Sequence, residues 1–345
     1  MRSAFIGCTP RAKTALGRTL VAINRLGARS APYAMAAALL IEPAAHAMEF
    51  KRVGSTLILS GEVVFRDLER AKAELKTMPA ITHVVLRNSM GGNSWTGYRL
   101  GELFRENGVT TVVSGHCISS CSRLFLGGKQ RMFTDDYPAS LTFVGFHGHY
   151  DFGKLNTQAV AKDDLALWTI NYTDGKVDPK LLQRWIRIER RAGDARFYPA
   201  AVNAFWKDTS FLCDGTESSK PTRCERLGTT ALAQGIVTTN QRYSSVDAAS
   251  LPFKKREAKY PSTTYAALTD TSKLPNATAA LRKDYAQFIA GRLPRSFAVS
   301  SSGKYWAWNA NDVKSAELAI ERCERKANGR CQLYAVDERV VFEKP

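Results

Sequence analysis

Three short apolar runs, STLILSG, ITHVVLR and VTTVVSG, recur between residues 55 and 115, and each pair is separated by a segment of helical or glycine-turn character. Residues 65–78 place Leu68, Ala71, Leu75 and Met78 three and four positions apart, which predicts an amphipathic helix stopped by Pro79. After ITHVVLR come the turn NSMGGN and a helix from about Trp95 to Glu106, closed by Asn107-Gly108. After VTTVVSG, the stretch SSCSRLFLGG reads as a short helix, and RMFT and LTFVGFH as further strands. Apolar strands that alternate with helices at this spacing require repeated crossovers, so the chain is predicted to be α/β.

Later segments are less periodic. Residues 160–206 read as helical and aromatic-rich, with Trp168, Trp185 and Trp206. TTALAQGIVTT reads as a helix turning through Gly235 into a strand. These elements extend the α/β domain over residues 48–243. Residues 244–292 are predicted to be a linker, polar and rich in Pro, Ser and Thr at its start, with a helix near 277–290. Residues 293–345 read as a small α+β domain: a hairpin in SFAVSSSGKYWAWN, a helix in VKSAELAIERCERKA and one or two strands in CQLYAVDERVVF.

The net charge of +17 would suggest a polyanionic partner if it were clustered. Residues 1–47 hold six of the basic residues (Arg2, Arg11, Lys13, Arg18, Arg25 and Arg29) against Glu42 alone, which leaves +12 on the remainder. No run of five Lys/Arg and no reader motif occurs, so nucleic-acid binding is not predicted. The basic segment precedes the apolar stretch Ala34–Ile41 and the small-x-small triplet Ala45-His46-Ala47. That order predicts a signal peptide cleaved near Ala47 and a periplasmic or secreted protein. FIGC around Cys8 lacks a preceding hydrophobic stretch, so lipidation there is not expected.

Without residues 1–47, six cysteines remain in three local pairs: Cys117 and Cys121, Cys213 and Cys224, Cys323 and Cys331. An even count suits an oxidising compartment, and local pairing is the simplest of the fifteen possible connectivities. No second hook or histidine pair stands near enough for zinc, so no metal is predicted.

LRNSMGGNSWTGYRLGELF, then TTVVSGHCISSCSRLFLGGKQRMF, then LTFVGFH, resembles the Clp-type serine protease proteolytic subunit of the Clp/crotonase-like superfamily. It is most similar to exported bacterial members whose nucleophile lies in a Cys-Ala-Ser-Ala-Cys-like motif, and the resemblance spans roughly residues 55–240. It implies a spiral of repeated strand-strand-helix units, with Ser119 as nucleophile, His147 as base, and the amides of Gly92 and Ser120 as oxyanion donors. By position after the histidine it implies Asp194 as orienting carboxylate, while Asp163, Asp164, Asp174 and Asp178 stay open.

The residue chemistry agrees with that order. A serine opening a helix after a strand projects where substrate can approach, and helix-start amides favour negative charge. His149 is a rival base two residues on, and His116 a neighbour of the motif. Ser119 could instead cap the helix, with Ser120 or Ser122 as nucleophile. Two departures reshape the pattern: Met90 stands where the family has proline, and Ile118 and Ser120 where it has small apolar residues.

The expected function is an exported, ATP-independent serine hydrolase acting on peptides or unfolded chains, with no cofactor, no ATPase partner and a possible homo-oligomeric assembly. The alternative is an inactive Clp-like fold serving as a periplasmic binding or assembly protein.

Overall fold

Strands β1 (Glu49–Val53) and β2 (Thr56–Ser60) pair antiparallel at one edge of a ten-stranded sheet. Three crossovers follow: α1 (Asp67–Leu75) to β3 (His83–Ser89), α2 (Ser94–Glu106) to β4 (Thr110–Ile118), and α3 (Ser120–Leu126) to β5 (Gln130–Thr134). β2 to β5 pair in parallel because each helix carries the chain back along the sheet. The computed structural model describes residues 47–343 apart from 163 and 218–220. The expected signal peptide therefore lies outside the described residues, save Ala47.

β4 has two partners on one side. Its first half, Thr110–Val113, pairs with β5, while His116–Ile118 pair with β6 (Phe143–Phe146). The sheet thus divides just before residue 119, leaving an opening where β4 hands over to α3.

A small hairpin, β7 (Tyr150–Asp151) and β8 (Lys154–Leu155), then leads into α4 (Thr157–Lys162), α5 (Asp164–Tyr172) and α6 (Pro179–Ile186). β9 (Asp194–Phe197) returns antiparallel to β6, followed by α7 (Asn203–Trp206), β10 (Ser210–Cys213), β11 (Glu225–Arg226) and β12 (Arg242–Tyr243). The sheet is therefore parallel from β2 to β6 and along the β5–β12 branch, and antiparallel where β1 and β9 to β11 flank it.

Two expectations are corrected. The stretch 160–206 is not helical throughout, because Asp194–Phe197 take the open edge of β6 as a strand. TTALAQGIVTT forms neither helix nor strand: its Gly235 and Ile236 carbonyls accept from the buried Arg131 guanidinium instead of continuing a ladder.

The main core lies between sheet and helices, with Leu57, Val84, Leu86, Val113, Leu100, Phe104 and Leu124 fully buried. Each such side chain contributes roughly 1.5–3 kcal/mol.

Residues from 244 onward touch both sheets. Asp247 pairs with Arg87 of β3 at 2.8 Å. From α8 (Pro252–Lys259), Arg256 reaches Asp337 at 2.8 Å. After α9 (Ala279–Ala290) come β13 (Arg295–Ser300), β14 (Trp306–Ala310), α10 (Ser315–Ala327), β15 (Cys331–Val336) and β16 (Arg339–Val340). These strands make a separate antiparallel sheet in the order β14-β13-β15-β16. Strand alternation explains its two covers: Phe297 and Val299 pack with α9 residues, and Ala298 with Ala319 and Cys323 of α10. Three disulfides are formed, Cys117–Cys121, Cys213–Cys224 and Cys323–Cys331, consistent with an oxidising compartment. No helix among the described residues is long and apolar enough to cross a membrane.

Candidate active site at the end of strand β4

Ser119 sits at the junction of β4 and α3 with φ 59° and ψ −126°. A serine is rarely held at positive φ, and such residues cost of order 1–3 kcal/mol and persist only where their surroundings enforce them. Here the Ser119 N–H donates to the Gly145 carbonyl at 3.1 Å, and its own carbonyl accepts from Ser122 N at 3.0 Å and Ser122 Oγ at 2.6 Å. The side chain makes no helix-capping bond, so Ser119 occupies the capping position without acting as a cap. Ser119 is half-buried and lines a cavity of about 440 Å³.

The neighbouring serines differ. Ser120 is buried against Gly97 of α2, where a Cβ would stand 2.8 Å from the Ser120 Cβ, and the Ser122 hydroxyl is spent on the Ser119 carbonyl. Cys117 and Cys121 are both buried in the core and do not line the cavity, so their disulfide braces the junction from beneath and leaves the approach to Ser119 uncovered.

The Gly91-Gly92 turn presses on this junction from the other side. A Cβ on Gly91, whose φ is +89°, would lie 2.6 Å from the Ile118 carbonyl oxygen and 2.7 Å from the Ser119 Cβ. Only glycine meets both demands. The turn is anchored by Val63, whose N–H donates to the Gly91 carbonyl and whose carbonyl accepts from Asn93 N. Asn93 then caps α2 through Oδ1. Among the described residues the N–H groups of Gly92 and Ser120 donate to nothing. Both stand beside Ser119: Gly92 lines the cavity, and Ser120 opens the first turn of α3.

His147 lies in the same cavity, just past the end of β6. Its Nδ1–H donates to the carbonyl of Gly148 at 2.7 Å, which leaves Nε2 as the unprotonated nitrogen. Nε2 has no hydrogen-bond partner among the described residues, Ser119 included. Burial, then the charges of Arg123 and Arg191, push the imidazole down to about 4 against the opposing Gly148 bond. His149, the rival base, is past the strand rather than on it, and its Nε2 is engaged by the Tyr98 hydroxyl at 2.9 Å. His116 packs against Phe143 and does not line the cavity.

Asp194 starts β9. The register Gly145↔Arg196, Phe146↔Ala195 brings it level with His147. Its carboxylate nevertheless binds Arg196 at 2.6 Å and makes no hydrogen bond to His147. The reason is strand periodicity: residues 194 and 196 share a face, so the cation two positions on meets the carboxylate first. Burial pushes Asp194 up to about 6. Asp174 lies 3.7 Å from Arg131, Asp178 caps α6, Asp164 begins α5 and does not line the cavity of Ser119, and Asp163 lies outside the described residues. The structure thus gathers Gly92, Ser119 and His147, with the Ser120 amide, but not the Asp194 carboxylate.

One residue of this cavity escaped the sequence reading: Arg123. It stands four positions after Ser119, one helical turn along α3, which places both on one face. That spacing was the available signal. Its guanidinium carbon lies 4.8 Å from the centre of the Tyr98 ring.

No protein-family model matches the chain, and no curated protein matches it. Among solved structures, a ClpP1 point mutant from Listeria monocytogenes aligns at 14% identity and a TM-score of 0.35, covering 56% of this chain and 94% of that one. ClpP1 from the same organism aligns at 13% identity and a TM-score of 0.31, covering 56% and 93%. A likeness at this level assigns neither a fold nor an activity.

Proposed function

We propose that this chain is an exported, ATP-independent serine hydrolase of Clp/crotonase-like build that cleaves peptide bonds in short or unfolded chains. Ser119 Oγ attacks the scissile carbonyl while its proton passes to His147 Nε2. The resulting oxyanion is held by the N–H groups of Gly92 and Ser120, each donor of this kind being worth roughly 10²–10³ in rate. The imidazolium then protonates the leaving amine, and water, deprotonated by the same nitrogen, releases the acid from Ser119. His147 is oriented by the Gly148 carbonyl in place of a carboxylate. That carbonyl selects the Nδ1–H tautomer and so presents Nε2 to the serine. No nucleotide or metal enters the scheme.

The observation that carries this reading is Ser119 itself: a strained, uncapped serine sharing a cavity with a histidine whose acceptor nitrogen is unengaged. The second reading, an inactive fold used for binding or assembly, draws on the missing Ser119–His147 hydrogen bond and on the diversion of Asp194 to Arg196. A fluorophosphonate probe separates the two. Labelling is expected in the native chain, lost in Ser119→Ala and weakened in His147→Ala. A native chain that stays unlabelled under both oxidising and reducing conditions overturns the hydrolase.

A further inference from the structure

Four arginines are buried among the described residues, Arg87, Arg131, Arg295 and Arg123. Three are held by several acceptors each. Arg87 binds Ser114, Ser245 and Asp247 and pairs with Asp136. Arg131 donates to the carbonyls of Gly128, Gly235 and Ile236. Arg295 donates to the carbonyls of Ile289, Gly291 and Asp337.

Arg123 is equally buried, 3% exposed, yet among the described residues it forms no ion pair and its Nε has no partner. Among the described residues Tyr98 alone meets its charge, through the ring face, while the phenol oxygen is engaged with His149. Asp151, the one carboxylate lining the cavity among the described residues, accepts from Asn156 at 2.5 Å and forms no ion pair with Arg123. A buried cation without a counter-charge is costly, and folds normally supply one. Helical geometry directs the side chain back over the preceding turn, toward Ser119, and into the cavity it shares with His147 and His149.

We propose that Arg123 forms an anion subsite beside the nucleophile, which receives a carboxylate of the substrate. A planar guanidinium matches a carboxylate with two parallel hydrogen bonds, and Arg191, exposed at the rim of the cavity, adds a second positive charge. The carboxylate is either the C-terminus of a peptide or an acidic side chain next to the scissile bond. The inference rests on the hydrolase reading only for what the anion is attached to, since the subsite itself requires no chemistry at Ser119.

Binding to the full chain carrying Ser119→Ala tests this without turnover. The ligands are N-acetyl-trialanine as free acid, the same peptide as C-terminal amide, and N-acetyl-Ala-Glu-Ala amide, each titrated by calorimetry. At least one acid is expected to bind about tenfold or more tighter than the neutral amide, the scale of a charge-assisted contact. Which acid gains identifies the source of the carboxylate. Arg123→Gln in the same background should erase the difference, and Arg123→Lys, which keeps the charge and much of the packing, should retain part of it. Equal binding of acids and amide, no binding of any of them, or a preference that survives in a folded Arg123→Gln chain each overturns the subsite. Should Arg123→Gln fail to fold, the acid-against-amide comparison with Arg123 intact still decides. An acid preference in a chain that resists the fluorophosphonate keeps the subsite and removes the hydrolase, and the reverse result does the opposite.

Discussion

Strand β4 carries Ser114 and leads, five positions on, to Ser119 at its end, and the fold treats the two serines in opposite ways. Ser114 is buried, and its hydroxyl accepts from Arg87 Nε at 3.0 Å and faces both oxygens of Asp136 at 3.0 and 3.1 Å. Arg87 in turn holds Asp247, which Lys51 also binds at 3.0 Å. Every polar group there has a partner, and the cluster joins β3, β4 and the chain beyond β12. Among the described residues Ser119 has a strained backbone, an uncommitted hydroxyl, two idle amides and a guanidinium without an ion pair around it. Saturated polar clusters hold a fold together, whereas groups left unsatisfied at a structural cost remain available to a ligand.

The contrast is broken most directly at Ser119. Ser119→Ala should lower peptide turnover by at least about 10³-fold, the scale of losing a nucleophile. Ser119→Gly should do the same yet raise the melting temperature, because relief of positive φ returns of order 1 kcal/mol after glycine's entropy is charged against it. A glycine variant that loses activity and stability together would mean that the hydroxyl serves the fold.

Gly148→Ala comes next. A Cβ there would lie 2.2 Å from the Ile186 carbonyl, so the backbone that orients His147 must shift. A misplaced base costs on the order of 10²-fold. The loss should appear in kcat with KM changed little, while a purely structural role would lower the melting temperature and leave kcat per folded molecule intact.

The pH profile follows in size. Burial, with Arg123 and Arg191, favours the neutral ring of His147, whose folded value is about 4 against an ordinary 6.5. At pH 5 about 90% of the base is then neutral, where an unperturbed histidine would leave about 3%, a roughly 30-fold difference in kcat/KM. The sign for stability agrees: a depressed folded value means that the contribution is present above 6.5 and lost as pH falls toward 4. An acid limb at about 6 would instead assign control of the rate to Asp194, which burial pushes up to that range.

What the sequence disclosed were features that repeat or sit close along the chain. The apolar runs of β2, β3 and β4 are buried on both sides and so read as strands without alternation, and the three cysteine pairs are local enough to propose from spacing. Gly91-Gly92 could be singled out because few residues tolerate such a turn. What it did not disclose depends on backbone atoms or on faces of elements. The carbonyl that orients His147 belongs to Gly148 and leaves no side-chain signature. Asp194 looked free because the strand that sets Arg196 beside it was read as helix. Arg123 drew no notice because arginine is usually a surface residue, and its burial emerges only when α3 packs on α2 through Gly97 and Gly101.

Ser114→Ala should have the smallest effect on turnover, and it sharpens the contrast from the other side. Deleting this hydroxyl leaves Arg87 Nε and Asp136 buried with one partner fewer each, which costs about 1–3 kcal/mol. Urea denaturation should register that loss as an earlier midpoint with an unchanged slope. The fluorophosphonate labelling rate should stay within about twofold, because no atom of the Ser114 cluster contacts the cavity and separate sites act nearly independently. A large fall in labelling with stability preserved would show that strain at Ser119 is transmitted along β4 from the saturated cluster. The two serines would then form one coupled site, with the Arg87 network acting as the clamp that holds the nucleophile at positive φ.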